Sequence, residues 1–576
     1  MTSVAHAVVA HLQASGVRRV YGLPGESLSG FTDALRRAGD IRWVHVRHEE
    51  TAALAAAAEA ALTGQLAVCA ASCGPGNTHL VNGLYDAARS RVPVLVIAAH
   101  IPSEEIGSQY FQETHPQELF RETAVYCELI GNAAQLPRVL SIAMRTAVNK
   151  EGPAVVIVPG DILLADAADR EPATPVLRSA SVIRPVHDEL AAAAATLNSA
   201  GRVTILAGAG CAGAHGELVE AARVLKAPVV HTLRGKEHVE YDNAYDVGMT
   251  GLLGFSSGYR AMESCDALLV LGADFPYRDF YPPGVPVVQV DIRGEQIGRR
   301  IAVRHSLAGT VKDTLCALLP LLSTKRSSHL RRMRDHYART RRELARLAAA
   351  DHDRAPLHPQ CVATTVDEEA SGDAVFIPDG GSPIIWAARQ LKMNGRRRLI
   401  GSFNHGTVAN AIPHAIGAQS ACPGRQVIAL SGDGGIAVLL GDLITLRQHD
   451  LPVKIVVFDN EALAFAEQAM AADDIPPFGT KLSNPDFAAV ARAMGIHGIR
   501  VEHPSGLRPA LREAFDHPGP ALVDVRTAQQ KLSVPPYVTR GRGKGKSLFE
   551  GRLILSGRGD ELMDPAQENI MHRVLS

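Results

Sequence analysis

Aromatic side chains are scarce, at 5% of the chain, and there are only two tryptophans. Any large core must therefore be built from aliphatic residues and alanine, which suits closely packed helices. Cysteine is scattered: Cys69, Cys73, Cys127, Cys211, Cys265, Cys316, Cys361 and Cys422 form no C-x-x-C pair. A disulfide scaffold and a zinc site are both excluded on that pattern. No charge of one sign predominates, since Lys+Arg 59 against Asp+Glu 60 leaves a net charge of −1. The basic excess of a nucleic-acid binder is missing. No apolar run approaches the roughly 18 residues of a spanning helix. The longest, such as Val94 to Ala99, suit buried strands. Met1 to Gln13 lacks a basic segment followed by an apolar core, so no secretory leader is expected there. A near-neutral α/β protein of a reducing, cytoplasmic compartment remains. Its 576 residues correspond to about three to five domains.

What is present is alternation. β-branched runs such as Val94–Ile97, Ala154–Val158, Thr204–Leu206, Ala267–Leu271, Val287–Val290, Val427–Leu430 and Lys454–Phe458 are separated by Ala- and Leu-rich helical stretches. Fully apolar strands spaced by helices predict parallel sheets covered on both faces. Two regions also match each other. His48-Glu49, Ser72-Cys-Gly-Pro-Gly76, Val92-Pro-Val94 and Gly152-Pro-Ala154 recur in order as His405-Gly406, Ser431-Gly-Asp-Gly434, Leu451-Pro-Val453 and Gly519-Pro-Ala521. Four ordered matches at nearly constant offset indicate two related α/β modules around a third unit. The expected fold class is α/β, with three doubly wound parallel-sheet domains. The first covers 1–182, the central one 183–325 and the last 355–530. Residues 326–354 form a linker helix, dense in Arg with Leu at helical spacing and read as an exposed, solvated face. A C-terminal tail covers 531–576.

The sharpest chemical signal is Gly432-Asp433-Gly434-Gly435 followed by Asp459-Asn460. Both lie at predicted strand ends, on the carboxyl edge of a parallel sheet where such folds bind ligands. A carboxylate and an amide oxygen suit a hard cation such as Mg²⁺. The glycines let backbone approach a diphosphate. Pro75 stands where Asp433 stands in the other module, so only the second carries this ligand. In the central unit, Gly208-Ala-Gly210, Thr250–Gly254, Gly272–Arg278 and Asp291 together fit a dinucleotide at several strand ends. Asp291 is placed for a ribose hydroxyl, and Arg278 and Arg234 for the diphosphate.

These motifs resemble the thiamine diphosphate-dependent enzymes. The chain is most similar to their bacterial pyruvate dehydrogenase (quinone) and pyruvate oxidase group, over nearly its whole length. Arg47–Ala53, Ser72–Asn77, Ala98–Pro102, Tyr110–Phe120, Leu233–His238, Phe275–Arg278, Gly401–Gly406 and Leu555–Glu561 carry the likeness. The resemblance implies a pyrimidine-binding domain, an FAD-binding domain and a diphosphate-binding domain. It makes Glu49 the carboxylate that hydrogen-bonds the cofactor pyrimidine. A capping role is the plainer alternative, one that Glu50 fills equally. It assigns Asp433, Asn460 and Ala462 to Mg²⁺. Gly406, Thr407, Val408, Gly434, Gly435, Leu463, Ala464 and Phe465 go to thiamine diphosphate, with Val408 as the wedge that bends it. Phe111 and Gln112 go to the pocket for a small 2-keto acid, the amide near the developing oxyanion, and Phe465 joins them among the catalytic residues. Arg234, Thr250, Gly251, Leu252, Leu253, Asp274, Phe275, Pro276, Tyr277, Arg278 and Asp291 go to FAD.

Several positions depart from that pattern. Gly380 replaces a valine beside the cofactor, Ala464 a glycine, Ala469 a glutamate and Thr310 an acidic residue. Glu467, about 200° of helical rotation from Ala469, is expected to point elsewhere. The basic run Arg540–Lys546 and the apolar Leu553–Leu555 suit an anionic lipid surface, although Pro565 interrupts the last segment. The implied activity is oxidative decarboxylation of pyruvate to acetate and CO₂. Ubiquinone is the acceptor, at the cytoplasmic face of a membrane, and the enzyme is at least a homodimer and by family habit a tetramer. The rivals are a carboligase or plain decarboxylase with the same cofactors, a peroxide-forming oxidase, and a non-catalytic membrane-associated binding protein.

Overall fold

A computed structural model describes residues 3–167, 173–350, 355–472 and 475–529. Its eighteen named strands form three six-stranded sheets, and every pairing between them is parallel. The first sheet contains β1 (Arg19–Gly22), β2 (Arg42–His45), β3 (Ala67–Ala71), β4 (Val94–His100), β5 (Tyr126–Leu129) and β6 (Pro153–Pro159), in the order β2-β1-β3-β4-β6-β5. The second contains β7 (Val203–Ala207), β8 (Val229–His231), β9 (Asp246–Met249), β10 (Ala267–Leu271), β11 (Val287–Asp291) and β12 (His305–Ala308), in the order β12-β11-β10-β7-β8-β9. The third contains β13 (Val375–Pro378), β14 (Arg398–Leu399), β15 (Val427–Gly432), β16 (Lys454–Asp459), β17 (His497–Val501) and β18 (Ala521–Arg526), in the order β14-β13-β15-β16-β18-β17. The central strands are buried at every position, as β4 and β10 show, because helices cover both faces.

The first and third sheets have the same strand order, so the sequence repeat is a repeat of topology. The two modules also meet through equivalent helices. Glu49–Thr63 packs on Ala411–Ala421, and one apolar core runs from Ala52–Ala60 into Ala411–Ala418. Gly417 lies against the backbone of Ala55, where no Cβ could fit. This close approach fits the alanines of these two helices, since wide side chains would hold them apart. The contact is pinned by polar groups. Asp442 accepts from Arg47 N at 2.8 Å and from Thr51 Oγ1 at 2.6 Å, both from the other module.

The central sheet follows the strand order of dinucleotide-binding folds. Its order reverses between β7 and β10, which leaves a crevice at their carboxyl ends. The arginine-rich helix Ser328–Ala350 is half-buried, contrary to the expectation of an exposed linker. His329, Leu330, Met333 and Thr340 are buried, and His336 Nε2 lies 2.8 Å from Ser256 Oγ. Arg331, Arg332, Arg334, Arg339 and Arg342 do face solvent. Among the described residues no helix is long and apolar enough to cross a membrane. The C-terminal tail lies outside the described residues, with Arg540–Lys546, Leu553–Leu555 and Pro565.

Candidate functional site

β15 and β16 are neighbours, in register from Ile428↔Lys454 to Gly432↔Phe458. Their carboxyl ends deliver Asp433 and Asn460 side by side. Asp433 Oδ1 accepts from Gly434 N at 2.9 Å. Its Oδ2 accepts from Asn460 N at 3.1 Å, Glu461 N at 2.7 Å and Asn484 Nδ2 at 2.8 Å. Burial pushes the Asp433 carboxyl above its ordinary pKa, and the Asp459 charge adds to this; a bound cation acts in the opposite direction. Asn460 is buried, and its Oδ1 accepts from Ala462 N at 3.0 Å. The three positions expected to hold a cation thus share two adjoining loops. They offer a carboxylate, an amide oxygen and a backbone carbonyl, the oxygen set a hard cation takes. Gly434 keeps the loop open, since a Cβ there would lie 2.7 Å from Leu463 Cδ2. Beneath it Asp379 is buried. It accepts from Ser431 Oγ at 3.0 Å, Gly380 N at 2.9 Å and Asn410 N at 3.0 Å, and burial pushes it up to about 6.

A continuous cavity of about 1130 Å³ runs from this loop into the central crevice. At one end Gly406, Val408, Asp433, Gly434, Gly435 and Ala462–Phe465 line it. At the other, Arg234, Thr250–Leu253, Asp274–Tyr277 and Asp291 do so. Thr407 and Asn460 stand behind this wall, and Arg278 turns away to donate to the Arg300 carbonyl at 3.1 Å. Arg300 itself lines the cavity and holds Asp274 at 2.9 Å, while Arg91 approaches Asp274 from the first module at 3.4 Å. At the crevice, Gly210 approaches Gly272 so closely that a Cβ would lie 2.7 Å from the Gly272 Cα. Thr250 Oγ1 is buried without a hydrogen-bond partner among the described residues. Asp291, buried, accepts from Arg293 N at 3.0 Å. An unpartnered hydroxyl and a strand-end carboxylate on an open crevice fit a dinucleotide.

Glu49, Phe111 and Gln112 do not reach the cavity of their own chain. Glu49 is buried at the start of its helix, where His48 provides the cap by accepting from Glu50 N. Its Oε2 lies 2.9 Å from His79 Nδ1, and Gly76 leaves Oε1 uncovered, since a Cβ there would sit 3.2 Å away. Glu50 instead accepts from Asn82 at 2.6 Å; Asn82 also donates to Thr407 Oγ1 at 2.8 Å. Phe111 is 78% exposed, a large cost for an aromatic ring. Gln112 has φ of 63° and packs on Gly74.

The departures acquire geometry. A Cβ on Gly380 would point not into the cavity but at Thr407 O, 2.9 Å away, so the glycine fixes where the 406–408 loop lies. Glu467 is tied to Thr480, whose Oγ1 donates to its Oε1 at 2.7 Å. Ala469 lies in the same helix, Ala464–Ala472. Thr310 caps a helix by accepting from Asp313 N at 3.0 Å. Reading the sequence missed Asn484, Asp379, His79, Asn82 and Arg300. His79 and Asn82 lie in the helix that follows Ser72–Gly76, where a helical spacing from the loop could have flagged them. Asp379, between the strand Val375–Pro378 and Gly380-Gly381, carries the same strand-end Asp-Gly-Gly pattern as Asp433; Asn484 and Arg300 carry no local signal.

Profiles of the thiamine pyrophosphate enzyme match three stretches: the N-terminal TPP binding domain at residues 2–119, the central domain at 190–318 and the C-terminal TPP binding domain at 379–525. A putative thiamine pyrophosphate-containing protein, YdaP, of Bacillus subtilis (strain 168) is 38% identical over 93% of this chain and 94% of its own. The pyruvate oxidase of Lactiplantibacillus plantarum is 31% identical over 90% and 87%. The acetolactate synthase isozyme 2 large subunit of Escherichia coli (strain K12) is 30% identical over 94% and 98%. The two activities in these names are matched at nearly the same identity.

Proposed function

Because the chain belongs to the thiamine pyrophosphate enzyme family, we propose that it oxidatively decarboxylates pyruvate to acetate and CO₂. In this reading thiamine diphosphate and Mg²⁺ occupy the Asp433 loop, FAD the central crevice, and ubiquinone takes the electrons. The observation that carries it is the cavity joining Asp433 and Phe465 to Thr250 and Asp291, which puts the two cofactor sites in one continuous space. When bound, thiamine diphosphate supplies the nucleophilic carbon that adds to a 2-keto acid and holds the electron pair as CO₂ departs, and the flavin supplies the two-electron acceptor.

The chain's own groups bind, orient and exclude water. Asp433, Asn460 and the Ala462 carbonyl hold the cation. Gly434 and Gly435 admit the diphosphate. Val408, Leu463 and Phe465 give the reacting region an apolar wall, which strengthens every charge interaction inside it. Thr250 and Asp291 hydrogen-bond the dinucleotide, while Arg234 and Arg300 offset its charge. Glu49 holds a proton at the pyrimidine ring, steadied by His79, and Gln112 donates to the substrate oxygen. Since Glu49, Phe111 and Gln112 lie off their own chain's cavity, a second copy completes each site. A homodimer is then the minimum assembly, consistent with a tetramer, and the tail beyond residue 530 is the segment assigned to an anionic membrane surface.

A second reading, carboligation to an acetolactate-type product, is favoured by Gly380 and Ala469, which stand where larger residues are usual, and by the acetolactate synthase relative. The test is reduction of a soluble quinone analogue by pyruvate. One acetate per quinone supports oxidation; acetolactate with the quinone unreduced supports carboligation.

A further inference from the structure

We propose that Glu467 is a positioning residue. Through Thr480 it latches the segment Thr480–Leu482 onto the loop Glu461–Leu463, and so sets the affinity of the cation–diphosphate site. This rests on the cofactor assignment above but turns on Glu467 and Thr480, which that assignment does not use.

In a protein of parallel sheets, these two segments pair antiparallel. Leu463 N donates to Thr480 O at 2.8 Å, Leu482 N donates to Glu461 O at 2.9 Å, and Ala462 bridges Lys481 between them. Two residues further on, Asn484 Nδ2 donates to Asp433 Oδ2 and to Asp459 Oδ1, each at 2.8 Å. One short segment therefore holds both the loop carrying Ala462 and the carboxylate of Asp433. It has work to do, because Glu461 sits at φ 57°, a left-handed conformation that persists only with outside support.

What holds the segment itself is the Thr480 hydroxyl. Thr480 is 3% exposed, and its Oγ1 donates to Glu467 Oε1 at 2.7 Å. A bond to a carboxylate is stronger than a neutral one. The backbone N of Glu467 donates to Leu463 O at 3.1 Å. The contacts close a ring: Leu463 anchors Glu467, Glu467 holds Thr480, and Thr480 holds Leu463. Removing the carboxylate leaves a buried hydroxyl without its acceptor and opens the ring on the side facing the cation loop.

The test uses the full chain. Glu467→Ala and Thr480→Val are each expected to weaken Mg²⁺–thiamine diphosphate binding by about tenfold in calorimetric titration, with kcat at saturating cofactor within about twofold of the parent. Thr480→Ser should restore affinity, and the double variant should be no weaker than either single one. Independently of any cofactor, hydrogen exchange at the Leu463 and Leu482 amides should accelerate in both single variants. Unchanged exchange, or additive losses of affinity, would overturn the latch. A parent protein that binds no thiamine diphosphate, yet shows the exchange effect, would overturn the cofactor assignment instead and leave the ring standing as a purely structural clasp.

Discussion

Gly417 lies against Ala55 so tightly that a methyl group on the glycine would overlap the Ala55 carbonyl. These residues belong to equivalent helices of the two repeated modules, so the contact joins one copy of the plan to the other. The obstructing atoms are backbone, which no rotamer change can move aside. Gly417→Ala should therefore destabilise the protein by ~1–3 kcal/mol, read as a lower urea midpoint. A midpoint equal to the parent's would show that the helices can separate at no cost.

Gly380 and the 406–408 loop make a second such pair. Valine at 380 must push Thr407, whose oxygen stands 2.9 Å from the would-be Cβ. Gly380→Val should lower kcat/KM by roughly tenfold to a hundredfold through misplacement of Val408, with little change in thermal midpoint. Kinetics like those of the parent would mean that the loop yields freely.

Cross-chain completion of the site has a direct genetic form. Glu49→Gln and Asp433→Ala should each be inactive alone. Mixed and reassorted at random into two-fold dimers, they should recover about a quarter of the parent activity, because half the dimers then carry one intact site. No recovery would place Glu49 and Asp433 in a site within one chain.

The central domain carries a buried pair that sets a pH dependence. Burial, with the Glu240 charge adding to it, pushes Asp246 up to about 8; burial, with Lys236 adding to it, pushes His231 down to about 4. With those values both are neutral near pH 6, although their side chains lie 3.6 Å apart. Asp246 binds its proton more tightly folded than unfolded. Its contribution is complete below the unfolded value near 4 and is lost as the pH rises through about 8. His231 does the reverse: its contribution is present above about 6.5 and lost as the pH falls through about 4. Asp246→Asn should flatten the decline of stability between about pH 6 and about pH 8 in denaturant titrations. A parent protein equally stable at both values would contradict the buried neutral acid.

Much of this was readable in the chain itself. Apolar runs such as Val94–Ile97, spaced by helical stretches, already read as strands covered on both faces, and the matched pairs His48/His405 and Pro93/Pro452 already indicated two modules of one plan. The Asp433–Asn460 motif was legible because each half directly follows its own strand. Asn484, by contrast, reaches Asp433 and Asp459 from a segment that no period or motif connects to them. Asp379 acts through buried hydrogen bonds that form only once β13 and β15 are neighbours. The meaning of Gly380 depends on where its missing Cβ would point, a matter of backbone geometry. Arg278 and Arg300 show the same limit: both are plausible by composition, but only Arg300 faces the cavity.

The most direct test is anaerobic mixing of the reconstituted protein with pyruvate while flavin absorbance and products are followed together. Oxidative decarboxylation requires the flavin to bleach, with one acetate and one CO₂ formed per flavin reduced. CO₂ release with the flavin still oxidised and acetolactate accumulating would contradict it.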